Sequence, residues 1–200
     1  MNDQEFIQAL HKYRDESVSY PLDFRPSLER LMDTQHCQEL SKVFHRTAKW
    51  ERTKAVESLG ASLPDARGLY MFVWRPELTF PFESGQIERL SWVLYVGKAG
   101  KEEGEYDTIK GRYLKEYRRF VGGDVGVLWD RKPPREREER LARYLTVRPL
   151  EYWFLLLDEP EDIRLLERKL IRILSPPLNR QLTGPRLRLG TPVPAFEEIT

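Results

Sequence analysis

Gly68-Leu69-Tyr70-Met71-Phe72-Val73-Trp74 is the stretch on which the fold turns. It is apolar, aromatic and β-branched and follows Ser62, Pro64 and Asp65, residues that favour a turn, so it reads as a strand. A second run of the same kind, Trp92 to Gly97, comes after a polar insertion from Arg75 to Leu90 that carries Pro76, Pro81 and Gly85. The two runs look like paired strands. The insertion is too long for a tight hairpin turn and reads either as a loop or as a small extra hairpin. A third run, Leu150 to Leu157, is apolar enough to be a central, buried strand.

Helices are expected around these strands. Ile109, Tyr113, Tyr117 and Phe120 recur at helical spacing, with Arg112, Lys115 and Arg119 on an adjoining face, which predicts a helix from Tyr106 to Phe120 stopped by Gly122 and Gly123. A charge-laced helix is expected from about Pro134 to Leu145, because proline is tolerated in a first turn. Residues 1–60 read as helical throughout. Phe6, Ile7, Leu10 and Tyr13 follow one face, Leu40, Val43 and Phe44 begin another, Pro21 and Pro26 lie in the break, and no strand pattern is visible. The end, residues 184–200, has three prolines and no periodicity and reads as an extended or mobile tail, in which Arg186 and Arg188 could touch a phosphate backbone. No internal repeat is visible.

Two hundred residues at 40% hydrophobic can bury a core, and the length suits one domain with an appended element. No stretch approaches the roughly 20 apolar residues of a membrane span, and Met1 to Leu10 lacks the features of a signal peptide, so a cytoplasmic, non-membrane protein is expected. Cys37 is the single cysteine, which excludes an intramolecular disulfide and a cysteine-rich zinc site. The net charge of +1 argues against a broadly electropositive coat, yet residues 105–148 hold twelve Lys or Arg against eight Asp or Glu. Lys110, Lys115, Arg118 and Arg119 are candidate nucleic-acid contacts in that segment. His11, His36 and His45 all lie in the N-terminal region, where helical surface or core roles are the expectation.

Glu167 is the most unusual residue. Its helix opens at about Pro160 among Asp158, Glu159, Glu161 and Asp162, which suit the positive end of a helix dipole, and stops before Pro176 and Pro177. Ile163, Leu166, Leu170, Ile171 and Leu174 form its apolar stripe, and at about 100° per residue Glu167 falls inside that stripe, aimed at the sheet. A carboxylate there needs a buried arginine, a hydrogen-bond network or a metal ion.

Gly68-Leu69-Tyr70, Tyr95-Val96-Gly97-Lys98-Ala99, Arg112 in the next helix, Glu167 in a later one, and Asn179 after Pro176-Pro177-Leu178 together resemble the GIY-YIG nuclease superfamily. The resemblance spans Arg67 to Gln181 and implies a domain over residues 64–183, with residues 1–60 a helical region of unknown role. It implies an α+β fold, a three-stranded antiparallel sheet flanked by helices, and metal-dependent hydrolysis of DNA. It makes Glu167 the metal ligand, Arg112 the phosphate contact, Tyr70 and Tyr95 the tyrosines lining the site, and Asn179 the residue that closes it. Glu116 stands one turn after Arg112, where many members place a histidine, and Lys115 or Tyr113 are candidates to replace that function.

These residue types suit the chemistry. Enzymes lower barriers by roughly 8 to 23 kcal/mol, so hydrolysis of a phosphate ester needs several effects together. Tyr70 or Tyr95 would activate water, and Lys98 would favour the phenolate. Arg112 and Lys98 would hold the phosphate, and a single Mg²⁺ or Mn²⁺ on Glu167 would serve the leaving oxygen. With an insertion between its tyrosines, the chain most resembles the restriction endonucleases of the superfamily, which implies cleavage of duplex DNA, usually by a homodimer. Target choice would lie in the insertion, in the Gly100 to Thr108 loop and in residues 1–60, which could also bind a protein partner. The rival expectation is a non-catalytic module of the same fold that binds nucleic acid or a protein.

Overall fold

The computed structural model describes residues 3–14, 35, 38, 49–76, 79–81, 87–89, 91–100, 107–129 and 134–179. Strand β2, Gly68–Trp74, is buried along almost its whole length because both of its faces are covered. It lies between β5, Trp92–Ala99, and β6, Leu150–Leu156, and pairs antiparallel with each. Burial on both sides explains why β2 and β6 read as near-continuous apolar runs instead of alternating ones.

A fourth strand, β1 at Glu51–Lys54, pairs antiparallel with β6, so the sheet runs β1-β6-β2-β5. This corrects two expectations: the sheet has four strands, not three, and residues 1–60 are not wholly helical. Glu51-Arg52-Thr53-Lys54 hides its strand character because it lies at the sheet's edge with charged, mostly exposed side chains. Its backbone hydrogen bonds carry the pairing, and the Arg52 guanidinium lies 4.1 Å from the ring centre of its cross-strand neighbour Trp153. A short 3₁₀ turn, Glu57–Ala61, follows β1.

The insertion between the central strands forms the small hairpin, β3 at Thr79–Pro81 with β4 at Ile87–Arg89. A bulge between Phe72 and Val73 in the β2–β5 pairing shifts the register there. The opposite edge of the sheet is finished by the segment after the last helix. Leu178 donates its N–H to the Leu94 carbonyl at 3.1 Å, and the Asn179 side chain both accepts from Val96 N–H at 2.9 Å and donates to Val96 O at 2.8 Å.

Helix α1, Asp3–Arg14, packs against the 3₁₀ turn Val125–Trp129. Phe6 is buried in the same core as the sheet, whereas Ile7 is 48% exposed, so the two do not share a buried face as their spacing suggested. The helix expected to reach Phe120 has three parts: α2 at Ile109–Arg112, a π turn at Tyr113–Tyr117 and a 3₁₀ turn at Arg118–Phe120. Thr108 caps α2 by accepting from Gly111 N–H at 3.0 Å, and the carbonyls of Ala66 and Pro64 accept from Ile109 and Lys110 N–H at 2.9 and 3.2 Å. The donors that open a helix are thus satisfied by the turn that leads into β2, which fixes Arg112 relative to Tyr70. Helix α3 spans Arg137–Leu145, starting later than Pro134 because Glu136 and Glu139 form a capping box. Helix α4, Pro160–Leu174, starts on its proline with Glu161 and Asp162 in the first turn and ends at Ser175 in a left-handed conformation.

Two cores result. Tyr70, Phe72, Ala99, Tyr113, Tyr117, Leu141, Tyr152 and Phe154 pack on the α2–α3 side of the sheet. Leu69, Met71, Val73, Val96, Trp153 and Leu155 meet Ile163, Leu170 and Ile171 of α4 on the other. Strict alternation along β2 therefore decides which chemistry each face carries. The expectations placed on Leu40, Val43, Phe44, His36, Cys37 and His45, on the loop from 101 to 106 and on the tail 184–200 with Arg186 and Arg188 lie outside the described residues. Among the described residues, no helix is long and apolar enough to cross a membrane.

Candidate functional site

Two glycines set the spacing at the centre of the sheet. At Gly68, with φ +154°, a Cβ would lie 2.0 Å from the Leu155 carbonyl oxygen. Gly97 is the register partner of Tyr70, and a Cβ there would lie 2.5 to 2.6 Å from the end of the Tyr70 ring. Absence of a side chain at Gly97 is what allows the Tyr70 phenol to lie across β5.

Tyr70 is the middle of a tyrosine cluster. Its ring stacks on Tyr152 at 5.7 Å, meets Tyr117 edge-on at 5.7 Å, and lies 6.2 Å from Tyr95. The Tyr70 and Tyr117 hydroxyls share a hydrogen bond of 3.0 Å, and Arg137 Nη2 donates to the Tyr117 hydroxyl at 3.3 Å. Burial pushes the Tyr70 phenol well above its ordinary range, and the nearby Tyr95 and Tyr152 phenols add to the shift. Tyr117 and Tyr152 are pushed up as well, again chiefly by burial. Of the two tyrosines considered for activating water, Tyr70 is buried and Tyr95 is half-buried.

Arg112 sits in a chain of alternating charge. Its Nε and Nη2 bond Asp107 Oδ1 at 2.8 and 2.7 Å, and its Nη1 bonds Glu116 Oε1 at 2.5 Å. The other oxygen of Glu116 accepts from Arg137 Nη2 at 2.7 Å. Burial alone would raise the Glu116 carboxyl, but hydrogen bonds from Arg112 and Arg137 outweigh it and hold the group below its ordinary range. Burial likewise opposes the charge on Arg112, and its bonds to Glu116 and Asp107 reverse the effect and raise it.

Lys98 and Glu167 form an ion pair with each other. Lys98 is the register partner of Leu69, whose neighbours belong to the α4 core, so it lies on the face opposite Tyr70. This corrects the expectation that Lys98 stabilises a tyrosine phenolate: its ammonium is held by a carboxylate across the sheet from that cluster. Glu167 does point toward the sheet, and its side chain is only 14% exposed. Among the described residues, its partner is this lysine. Among the described residues no group of three or more His, Cys, Asp or Glu gathers as a metal site.

Asn179 is a latch on the backbone of Val96, as its two hydrogen bonds show. Tyr113 is buried and donates to the Val56 carbonyl at 2.7 Å, so it anchors the 3₁₀ turn after β1. Lys115, Arg118 and Arg119 are exposed on the turns after α2, and Lys110 is half-buried. Arg119 pairs with Glu138 and lies 4.7 Å from the ring centre of Phe120.

Three participants escaped the sequence reading. Tyr117 looked like one more apolar residue on a helical stripe. Asp107 lay in a loop with no pattern, and Arg137 looked like one charge of a solvated helix. Only the Arg112 to Glu116 spacing carried a local signal, since residues four apart on a helix face each other. Comparison of the chain with protein-family models, with curated proteins and with solved structures found no match.

Proposed function

We propose that the protein is a GIY-YIG-type endonuclease that hydrolyses DNA phosphodiester bonds with the help of a divalent metal. One observation carries the reading: consecutive residues of a single strand, Gly97 and Lys98, serve the Tyr70 cluster on one face and the Glu167 carboxylate on the other. That strand, β5, is an outer strand of the sheet, with Leu178 and Asn179 bonded along its outer edge.

In this reading Arg112 contacts the scissile phosphate, Lys98 supplies a second cation and Tyr95 is the phenol nearest solvent. Glu167 offers one hard carboxylate oxygen set, which fits Mg²⁺ or Mn²⁺, since such ions keep several waters and use few protein ligands. The ion supplies Lewis-acid charge to a phosphate oxygen when bound. The chain's own residues bind and orient the phosphate. Lys115, Arg118 and Arg119 form the adjoining basic surface, suited to duplex DNA. Restriction-type sequence specificity, a homodimer, a cytoplasmic location and a protein partner at residues 1–60 complete the proposal.

Supercoiled plasmid incubated with the protein and Mg²⁺ or Mn²⁺ tests it. Nicking is expected, and Glu167→Ala should slow it at least about 100-fold, the scale of losing one catalytic group. Cleavage by that variant at the wild-type rate would remove Glu167 from the mechanism. Sequencing the ends from a mixed DNA pool then separates discrete sites, expected of a restriction-type enzyme, from random breaks. A second reading, a binding module without catalysis, is favoured by the engagement of Lys98 with Glu167 and of Arg112 with Asp107 and Glu116. It predicts DNA binding with no metal-dependent nicking.

A further inference from the structure

The side chain of Glu116 holds its two oxygens one to each of two arginines that come from different elements, Arg112 at the end of α2 and Arg137 at the start of α3. Helix geometry does not explain Arg137. A cation in the first turn of a helix lies at the positive end of the dipole, where anions are favoured. Arg137 is kept there by Glu116 and by the Tyr117 hydroxyl, with its guanidinium 5.7 Å from the Tyr117 ring centre.

The four charges differ in exposure. Asp107 is 8% exposed and accepts from Arg112 along its Nε edge, which orients the guanidinium. Glu116 is 24%, Arg112 34% and Arg137 51% exposed, so the other end of the chain opens to water. A carboxylate and a phosphodiester each present two charged oxygens to the forks of guanidinium groups, and arginine binds both in the same way.

We propose that Arg112 and Arg137 form a two-arginine anion site for a nucleic-acid phosphodiester, and that Glu116 is an internal mimic that fills the site until the phosphate displaces it. The site links to the tyrosine cluster directly, because Arg137 bonds Tyr117 and Tyr117 bonds Tyr70. With Asp107 in place the four side chains sum to no net charge; displacing Glu116 leaves one positive charge for the phosphate. The proposal rests on the nucleic-acid reading of the chain, but not on cleavage.

The test is titration of the full chain with a short DNA duplex in EDTA, where binding is measured apart from metal-dependent cutting. Glu116→Gln preserves shape and removes the competing charge, so it should bind about tenfold tighter, as expected when one charge-assisted hydrogen bond is no longer given up. Arg137→Ala should bind about tenfold weaker, and the slope of log affinity against log salt should fall by about one. In the double variant the gain from Glu116→Gln should shrink. Thermal melting identifies any variant that fails to fold, and Arg137→Lys, which keeps the charge but not the fork, should fall between wild type and alanine. Unchanged affinity in both folded single variants overturns the anion site, even where plasmid nicking in Mg²⁺ survives and the nuclease reading stands. The expected shifts in affinity without any nicking by the wild-type protein uphold the anion site and overturn the nuclease reading.

Discussion

The two faces of the sheet are built on opposite principles. On the α2–α3 face, polar groups are connected from the core outward: the buried Tyr70 and Tyr117 hydroxyls pair, Tyr117 meets the exposed Arg137, and Glu116 joins Arg137 to Arg112. On the α4 face the surroundings are aliphatic, with Leu69, Met71, Val96, Ile163, Leu170 and Ile171, and the Lys98–Glu167 pair stands among them. Connection fixes geometry at the expense of freedom, since each phenol in the network is held neutral and in one orientation. The Lys98–Glu167 pair joins two partly exposed side chains to each other. The buried tyrosine hydroxyls suit positioning, and the charged end of the network, more exposed than the Lys98–Glu167 pair, suits exchange of partners.

Substitutions can break or sharpen this contrast. The largest effect is expected at Gly97→Ala, where the added methyl meets a ring that Tyr152 and Tyr117 prevent from moving. A loss of about 3 kcal/mol in urea denaturation is expected, the upper range for overpacking a core. A loss near zero would mean that the tyrosine face is not rigid. Asn179→Ala should cost about 2 kcal/mol, because Val96 loses a donor and an acceptor together. Tyr117→Phe should cost about 1.5 kcal/mol by leaving the buried Tyr70 hydroxyl without its partner. A double-mutant cycle over Lys98 and Glu167 should give a coupling below about 1 kcal/mol, since both groups are partly exposed and screened. A coupling as large as the Gly97→Ala effect would erase the difference between the faces.

The smallest effects are those of pH. Glu116 is held below its ordinary range in the folded protein, so its contribution is present above the unfolded value of about 4.3 and is lost as pH falls through the lower folded value. The buried phenols are shifted the other way. Their contribution is fully present below the unfolded value of about 10 and is lost as pH rises from there toward the raised folded values. Melting temperature should therefore decline at both extremes, and Glu116→Gln should blunt only the acid side.

Elements with a strong period are legible in the amino-acid sequence. The Gly68–Trp74 strand was read to the residue, and the last helix was placed by Pro160 and its acidic first turn. The inward aim of Glu167 also followed from helical projection, because burial has the period of the helix. What failed was whatever depends on a partner distant in the chain. The Glu51–Lys54 strand is charged and gains its form from β6. Lys98 was placed beside Tyr95 by proximity in sequence, although alternation along a strand sends residues 97 and 98 to opposite faces. Arg137 has no local mark of its pairing with Glu116, which only packing brings about.

The place of β6 between β1 and β2 also sets an order of events. A chain made from its amino terminus presents β1, β2 and β5 well before residues 150–156 exist, and of these only β2 and β5 can pair. The tyrosine hairpin is then an early assembly, whereas β1 waits for the strand that will join it to the rest. Contacts so far apart in sequence slow folding, and until they form the inner edge of β2 is open to any other extended chain. Pairing with β6 closes that edge and brings β1 into the sheet in the same step.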